Sequence, residues 1–343
     1  MSVRWWRWGA LWWTIACGGG STDGKDVVED SEVVGETDAM DSDSDGPVGV
    51  DVYTAVEPSY TTRSITVQGR TVIASDAPDP IGLVLLFHGS GGGSGLLDTT
   101  EMIALCNAFS ARGLGFAAIE SEDRASGQFD DASAPADNPD WGRLVVLRDQ
   151  LIAAELADEA TPVVAWGFSA GGAFASYVGH AAEEEGWPIR GVVAHSSRAR
   201  SGRYGDLPDL PAVLTIGPND EVVGFEAVEE DWQERAAAGR SDVWLPLVER
   251  DLVPTWFARV PYISAADSRQ LVLRAVELGY FDGAGRRLFD TTGLQAKVDE
   301  IVAAIEARYP KPVTGQLKVL LAMHAISAQH ADAEADAIAA WVR

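Results

Sequence analysis

The chain has 343 residues, 46% of them hydrophobic, which is enough for one large domain with attachments, and a formal net charge of −26. That charge excludes nucleic acid and other anionic polymers as partners, because phosphate contacts need clustered Lys and Arg. Cys17 and Cys106 are the only cysteines, which excludes a disulfide framework or a metal cluster built from thiols.

At the N-terminus Arg4 and Arg7 accompany a short apolar stretch, Trp8 to Ala16, that ends in Thr14-Ile15-Ala16-Cys17. The stretch is too short to span a bilayer, and its basic start and small-residue end read as an export signal. It resembles a bacterial lipoprotein signal, in which the cysteine after a small residue is acylated, although Thr14 stands where that family usually has Leu. The resemblance implies a lipid anchor at Cys17, a membrane partner and, with Gly18 following, an outer-membrane destination.

From Gly18 to Glu57 twelve acidic residues face the single Lys25, a local charge of −11 with almost no aromatic residues. Such a stretch cannot bury enough apolar surface to order itself, so 18–57 is expected to be a solvated tether. Asp41 to Gly46 opens like a calcium loop, but its twelfth position is Val52, so no calcium site is expected.

Order is expected from about residue 58. Ser64–Val67 and Arg70–Ile73 read as strands around a Gln68-Gly69 turn. Ile81–Phe87 is a continuous apolar run of the kind buried on both faces of a sheet. A helix over about 96–112, a strand at Leu114–Ile119, a helix over 144–156, a strand at Pro162–Trp166, a helix over 171–182 and strands at Ile189–Ala194 and Ala212–Ile216 follow. Within the first of these helices, Cys106 reads as a small buried hydrophobe. This alternation predicts an α/β fold with a doubly wound, mostly parallel sheet. The rhythm breaks over about 225–311, read as an inserted helical cap rich in aromatic residues. A last strand at Leu317–Ala322 and a closing helix at Asp332–Val342 complete the chain.

The chemistry centres on Gly167-Phe168-Ser169-Ala170-Gly171, a G-x-S-x-G pattern entered from an apolar strand and left by a small-residue helix. That context is what a nucleophile elbow requires, with Ser169 presented above the sheet. Directly after the Ile81–Phe87 strand comes His88-Gly89-Ser90-Gly91-Gly92, a turn able to aim a backbone amide at a developing oxyanion. Ser90 is the expected donor, Gly89 the alternative, and Ala170 the second donor. The turn lacks the G-K-[ST] ending of a phosphate loop.

A serine hydroxyl needs a base and an orienting acid. Asp220, in Gly217-Pro218-Asn219-Asp220 after the Ala212–Ile216 strand, is the expected acid, with Glu221 as fallback. Among five histidines, His88, His180 and His195 precede the acid, against the expected chain order of serine, acid, histidine. Of His324 and His330, His330 is the expected base, because a loop of several residues beyond the last strand is needed to swing an imidazole over the serine. Arg198, Arg200 and Arg203 are read as a solvated loop cluster rather than a receptor for a substrate carboxylate. The cap aromatics are read as core rather than as the lining of an acyl or aryl pocket.

These residues resemble the α/β-hydrolase superfamily, and within it bacterial esterases of the polyhydroxyalkanoate depolymerase and feruloyl esterase type. The resemblance rests on H-G-S-G-G at 88–92, G-F-S-A-G-G at 167–172 and G-x-x-D-x-x-V at 217–223, and covers Tyr60 to about Val223 and Leu317 to Arg343. It implies a carboxylic ester hydrolase with Ser169, Asp220 and His330 as triad, amides of Ser90 and Ala170 as oxyanion hole, and neither metal nor organic cofactor. The same constellation serves amidases and peptidases, and a non-catalytic surface module on this fold is the reading from another class.

Overall fold

The computed structural model describes residues 56–343 apart from 221, 249–251, 261–262, 290–292, 304–316 and 318–323. The described residues lie in one compact unit, Val50–Arg343. The signal and Cys17, nearly all of the acidic tether, Glu221 and most of the strand expected at Leu317–Ala322 lie outside them.

The sheet follows from runs of apolar residues that have no polar face. Strand β3 (Gly82–Phe87) is buried at every position. Its Leu83, Leu85 and Phe87 point to one core with Phe174 and Tyr177, while Val84 and Leu86 point to another with Met102, Leu105 and Ile338. A period of two with both faces covered is the signature of a central parallel strand. Around it lie β1 (Thr62–Val67), β2 (Arg70–Ser75), β4 (Leu114–Ile119), β5 (Val163–Phe168), β6 (Ile189–His195), β7 (Ala212–Thr215) and β8 (Val243–Trp244). The order is β1-β2-β4-β3-β5-β6-β7-β8. β1 and β2 form an antiparallel hairpin at one edge, β2 meets β4 antiparallel, and the remaining pairs are parallel. Gln68 and Gly69 turn the hairpin with φ of 48° and 77°, the left-handed pair that a two-residue turn uses.

Helices α1 (Thr100–Ala111), α2 (Pro139–Ala153) and α3 (Ala170–Glu184) cover the sheet. Helix α2 starts five residues before the expected position, because Asn138 caps it by accepting from the Trp141 amide and Pro139 sits in its first turn. This is the doubly wound, mostly parallel α/β sheet that the sequence led us to expect. Among the described residues no helix is long and apolar enough to cross a membrane.

The helical insertion departs from expectation at its start. Helix α4 (Phe225–Ala237) packs Val228 against Ala194, Leu214 and Ile216, and β8 pairs with β7. Residues 225–244 therefore extend the sheet instead of leaving it. A separate core begins only at Leu252: Trp256, Phe257, Leu271, Phe281, Val298 and Ile301 bury one another, carried in part by α5 (Ala265–Glu277) and α6 (Leu294–Val302). Arg259 ties this core to α1 through Glu101 at 3.1 Å. The closing helix α7 spans Ala331–Val342 and packs Ala335, Ile338 and Val342 on the sheet.

Candidate active site

Ser169 stands between β5 and α3 with φ 54° and ψ −122°. A non-glycine residue held there costs on the order of 1–3 kcal/mol, so the surroundings must impose it. They do so on both sides of the residue. The Ser169 amide donates to His195 O at 2.9 Å, and its carbonyl accepts from the Gly172 amide at 2.8 Å. The flanking glycines are a matter of clearance: a Cβ on Gly167 would collide with the Gly171 carbonyl, and one on Gly171 with the Phe87 carbonyl. Ser169 itself is half-buried, and α3 begins at Ala170, so the Ala170 amide belongs to the unpaired first turn of a helix.

The glycine turn packs against this elbow. A Cβ on Gly89 would lie 2.9 Å from the Phe168 ring and 3.2 Å from Ser169 Cβ. The Gly92 amide is used within the turn, donating to Gly89 O at 3.0 Å, and the Gly91 amide donates outside it, to Ser126 O at 2.9 Å. Among the described residues the amides of Gly89 and Ser90 make no such backbone bond. His88 is buried beneath them, where Nε2 accepts from the Ser121 amide at 3.1 Å and Nδ1–H donates to Gly89 O at 2.8 Å. Burial lowers its pKa, which keeps it in that neutral tautomer. His88 is thus a structural brace of the turn.

Two further braces escaped the sequence reading. Gln128 donates to Ser90 Oγ at 2.6 Å. The loop that carries Gln128 is held by Asp140, whose carboxylate accepts from the amides of Glu122 at 2.6 Å and Asp130 at 2.8 Å. Burial nevertheless raises the Asp140 pKa to about 6, outweighing the hydrogen bonds that favour the charged form.

Asp220 is buried in the loop after β7. One carboxylate oxygen accepts from the amides of Val222 at 3.0 Å and Val223 at 3.1 Å, and the other faces His324 Nδ1 at 2.9 Å. A carboxylate only accepts, so Nδ1 carries the proton and Nε2 is left with a lone pair. The His324 ring packs on Phe168, the residue before the serine, with centroids 5.0 Å apart.

His330 does not meet Asp220, which corrects the expected base. It precedes the first residue of α7, and its Nε2 bonds Pro246 O at 2.9 Å. The physical reason is local: His330 occupies the N-cap position of a helix, which fixes its backbone away from a free swing over the sheet. His180 bonds Asp206 O, and His195 pairs with Glu334, so neither reaches Asp220. Arg198 and Arg200 converge on the buried Asp231 of α4, Arg198 at 2.9 and 2.5 Å, so their charge is met within the fold. Among the described residues no cluster of His, Cys, Asp and Glu has the arrangement of a metal site.

No protein-family model and no curated protein matches the chain. Solved structures match parts of it. An arylesterase aligns over 56% of this chain and 77% of its own at 13% identity, with a TM-score of 0.40. The esterase LipW from Mycobacterium marinum aligns over 55% and 71% at 18% identity with a TM-score of 0.37. A Pyrococcus furiosus esterase aligns over 55% and 81% at 16% identity with a TM-score of 0.38.

Proposed function

We propose that the chain is a serine hydrolase of carboxylic esters, with Ser169 as nucleophile, His324 as base, Asp220 as orienting acid, and the amides of Ser90 and Ala170 as oxyanion hole. The observation that carries this reading is the buried Asp220–His324 hydrogen bond, with the imidazole packed against Phe168 beside a serine held at positive φ. Asp220 fixes the tautomer in which Nε2 can take the Ser169 proton as the hydroxyl attacks the ester carbonyl. The carbonyl oxygen gains charge, which the two amides meet; one such donor typically contributes about 3–4 kcal/mol. His324 then gives its proton to the leaving alcohol, and water repeats the sequence on the acyl-enzyme. No cofactor enters these steps.

The leaving atom is read as oxygen, and a pair of matched substrates tests it. A p-nitrophenyl ester is expected to give a burst of nitrophenol equal to the protein present, absent in Ser169→Ala, while the matched anilide turns over far more slowly. Faster turnover of the anilide would reassign the protein as an amidase. The N-terminal pattern supports export and attachment to a membrane through lipidated Cys17. Metabolic labelling with a fatty acid analogue is expected to mark the full chain and not Cys17→Ser.

A further inference from the structure

The least expected buried group is Glu334, in the first turn of α7. Its side chain is 1% exposed. One oxygen accepts from Trp166 Nε1 at 2.7 Å, and the other faces His195 Nε2 at 2.6 Å. A carboxylate this deep costs several kcal/mol in lost hydration unless its oxygens are satisfied. The stripe around it, Ala335, Ile338, Ala339 and Val342, is apolar, so an apolar side chain would fit the helix face at no such cost.

Its two partners explain why it is there. Trp166 lies on β5 three residues before Ser169, and His195 ends β6 in register with Phe168. Glu334 therefore staples β5 to β6 at the point where β5 leaves the sheet for the elbow. The residue whose side chain it grips, His195, is the one whose carbonyl receives the Ser169 amide. The same staple also fixes the segment that delivers His324. Glu334 N–H donates to His330 O, His330 holds Pro246 O, and Gln329 exchanges two hydrogen bonds with Val248.

We infer that Glu334 is a positioning residue of the reaction: through His195 it sets the elbow, and through α7 it sets the approach of His324. This rests on the hydrolase reading above. The contact also fixes a tautomer. Facing a carboxylate, His195 must carry a proton on Nε2, while its buried Nδ1 has no hydrogen-bond partner among the described residues.

Glu334→Gln separates positioning from mere packing. It keeps the volume, and its carbonyl oxygen can still accept from the indole, which only donates. Its amide must then donate to His195 Nε2, which moves the His195 proton to Nδ1, where it is buried with no acceptor among the described residues and can be satisfied only if the ring and the strand end beside Ser169 shift. Ground-state binding should survive while alignment does not. The expected result is a kcat on a small ester lowered by about tenfold or more with KM within about twofold. The control is Asp242→Asn, which breaks the buried Arg235–Asp242 pair near the opposite end of β7. It should lose stability and keep kcat within about twofold.

A Glu334→Gln protein with unaltered kcat, or an Asp242→Asn protein that loses kcat equally, would overturn the inference and leave the hydrolase reading intact. A wild-type protein whose turnover survives Ser169→Ala would overturn both.

Discussion

Two buried histidine–carboxylate pairs flank the elbow, and they are built in opposite ways. In Asp220–His324 the carboxylate is pinned by amides of its own loop, and the ring extends from it to pack, tilted, against Phe168. In Glu334–His195 the carboxylate comes from a helix, and the ring belongs to a strand that the sheet already fixes. The first pair leaves Nε2 able to act as a base, whereas the second engages Nε2 with the carboxylate. The same two residue types thus differ in which nitrogen is left over: Nε2 of a ring beside the serine in the first pair, a buried Nδ1 in the second.

The largest effects should fall on the first pair. His324→Ala and Asp220→Asn are each expected to lower kcat by about 10⁴, the second by releasing the wrong tautomer, with little change in thermal stability. A loss of less than about tenfold in either, on a folded protein, would break the comparison. Glu334→Ala should lower kcat at least as far as Glu334→Gln and also cost stability: two buried donors lose their acceptor, on the order of 3 kcal/mol in urea unfolding.

Asp140 sharpens the point with pH. Folded, it holds its proton to about pH 6; unfolded, only to the ordinary carboxylate range. The folded state therefore binds more protons between the two, so this stabilisation is full below about pH 4 and lost as pH rises through about 6. The change is about 2–3 kcal/mol. Asp140→Asn should flatten the urea midpoint across that window. The smallest effect belongs to His330→Ala, which removes one contact with Pro246 O: about 1 kcal/mol of stability and kcat within about threefold.

What was legible in the sequence is what is local. The elbow, the glycine turn and the strand after which Asp220 stands are short contiguous patterns whose backbone demands show in the residue types. The histidine that meets Asp220 was not legible, because Asp220 and His324 are 104 residues apart and no pattern chooses between two histidines six positions apart. One signal did point the right way: Asp332 and Glu334 mark a helix first turn, which makes His330 a cap residue. Glu334 was visible as an acid on the apolar stripe of that helix, but its partners lie 168 and 139 residues away. The insertion was placed too early because α4 and β8 carry aromatic residues, Trp232 and Trp244, that stack on each other at the sheet edge instead of in the cap.

The central claim is that Ser169 is activated by His324. Reaction with a fluorophosphonate probe, followed by peptide mass spectrometry, tests it without any knowledge of the natural substrate. The account predicts an adduct on Ser169 that forms at an ordinary rate in His330→Ala, slows by orders of magnitude in His324→Ala and is absent in Ser169→Ala. Labelling that is unchanged in His324→Ala but lost in His330→Ala would contradict it.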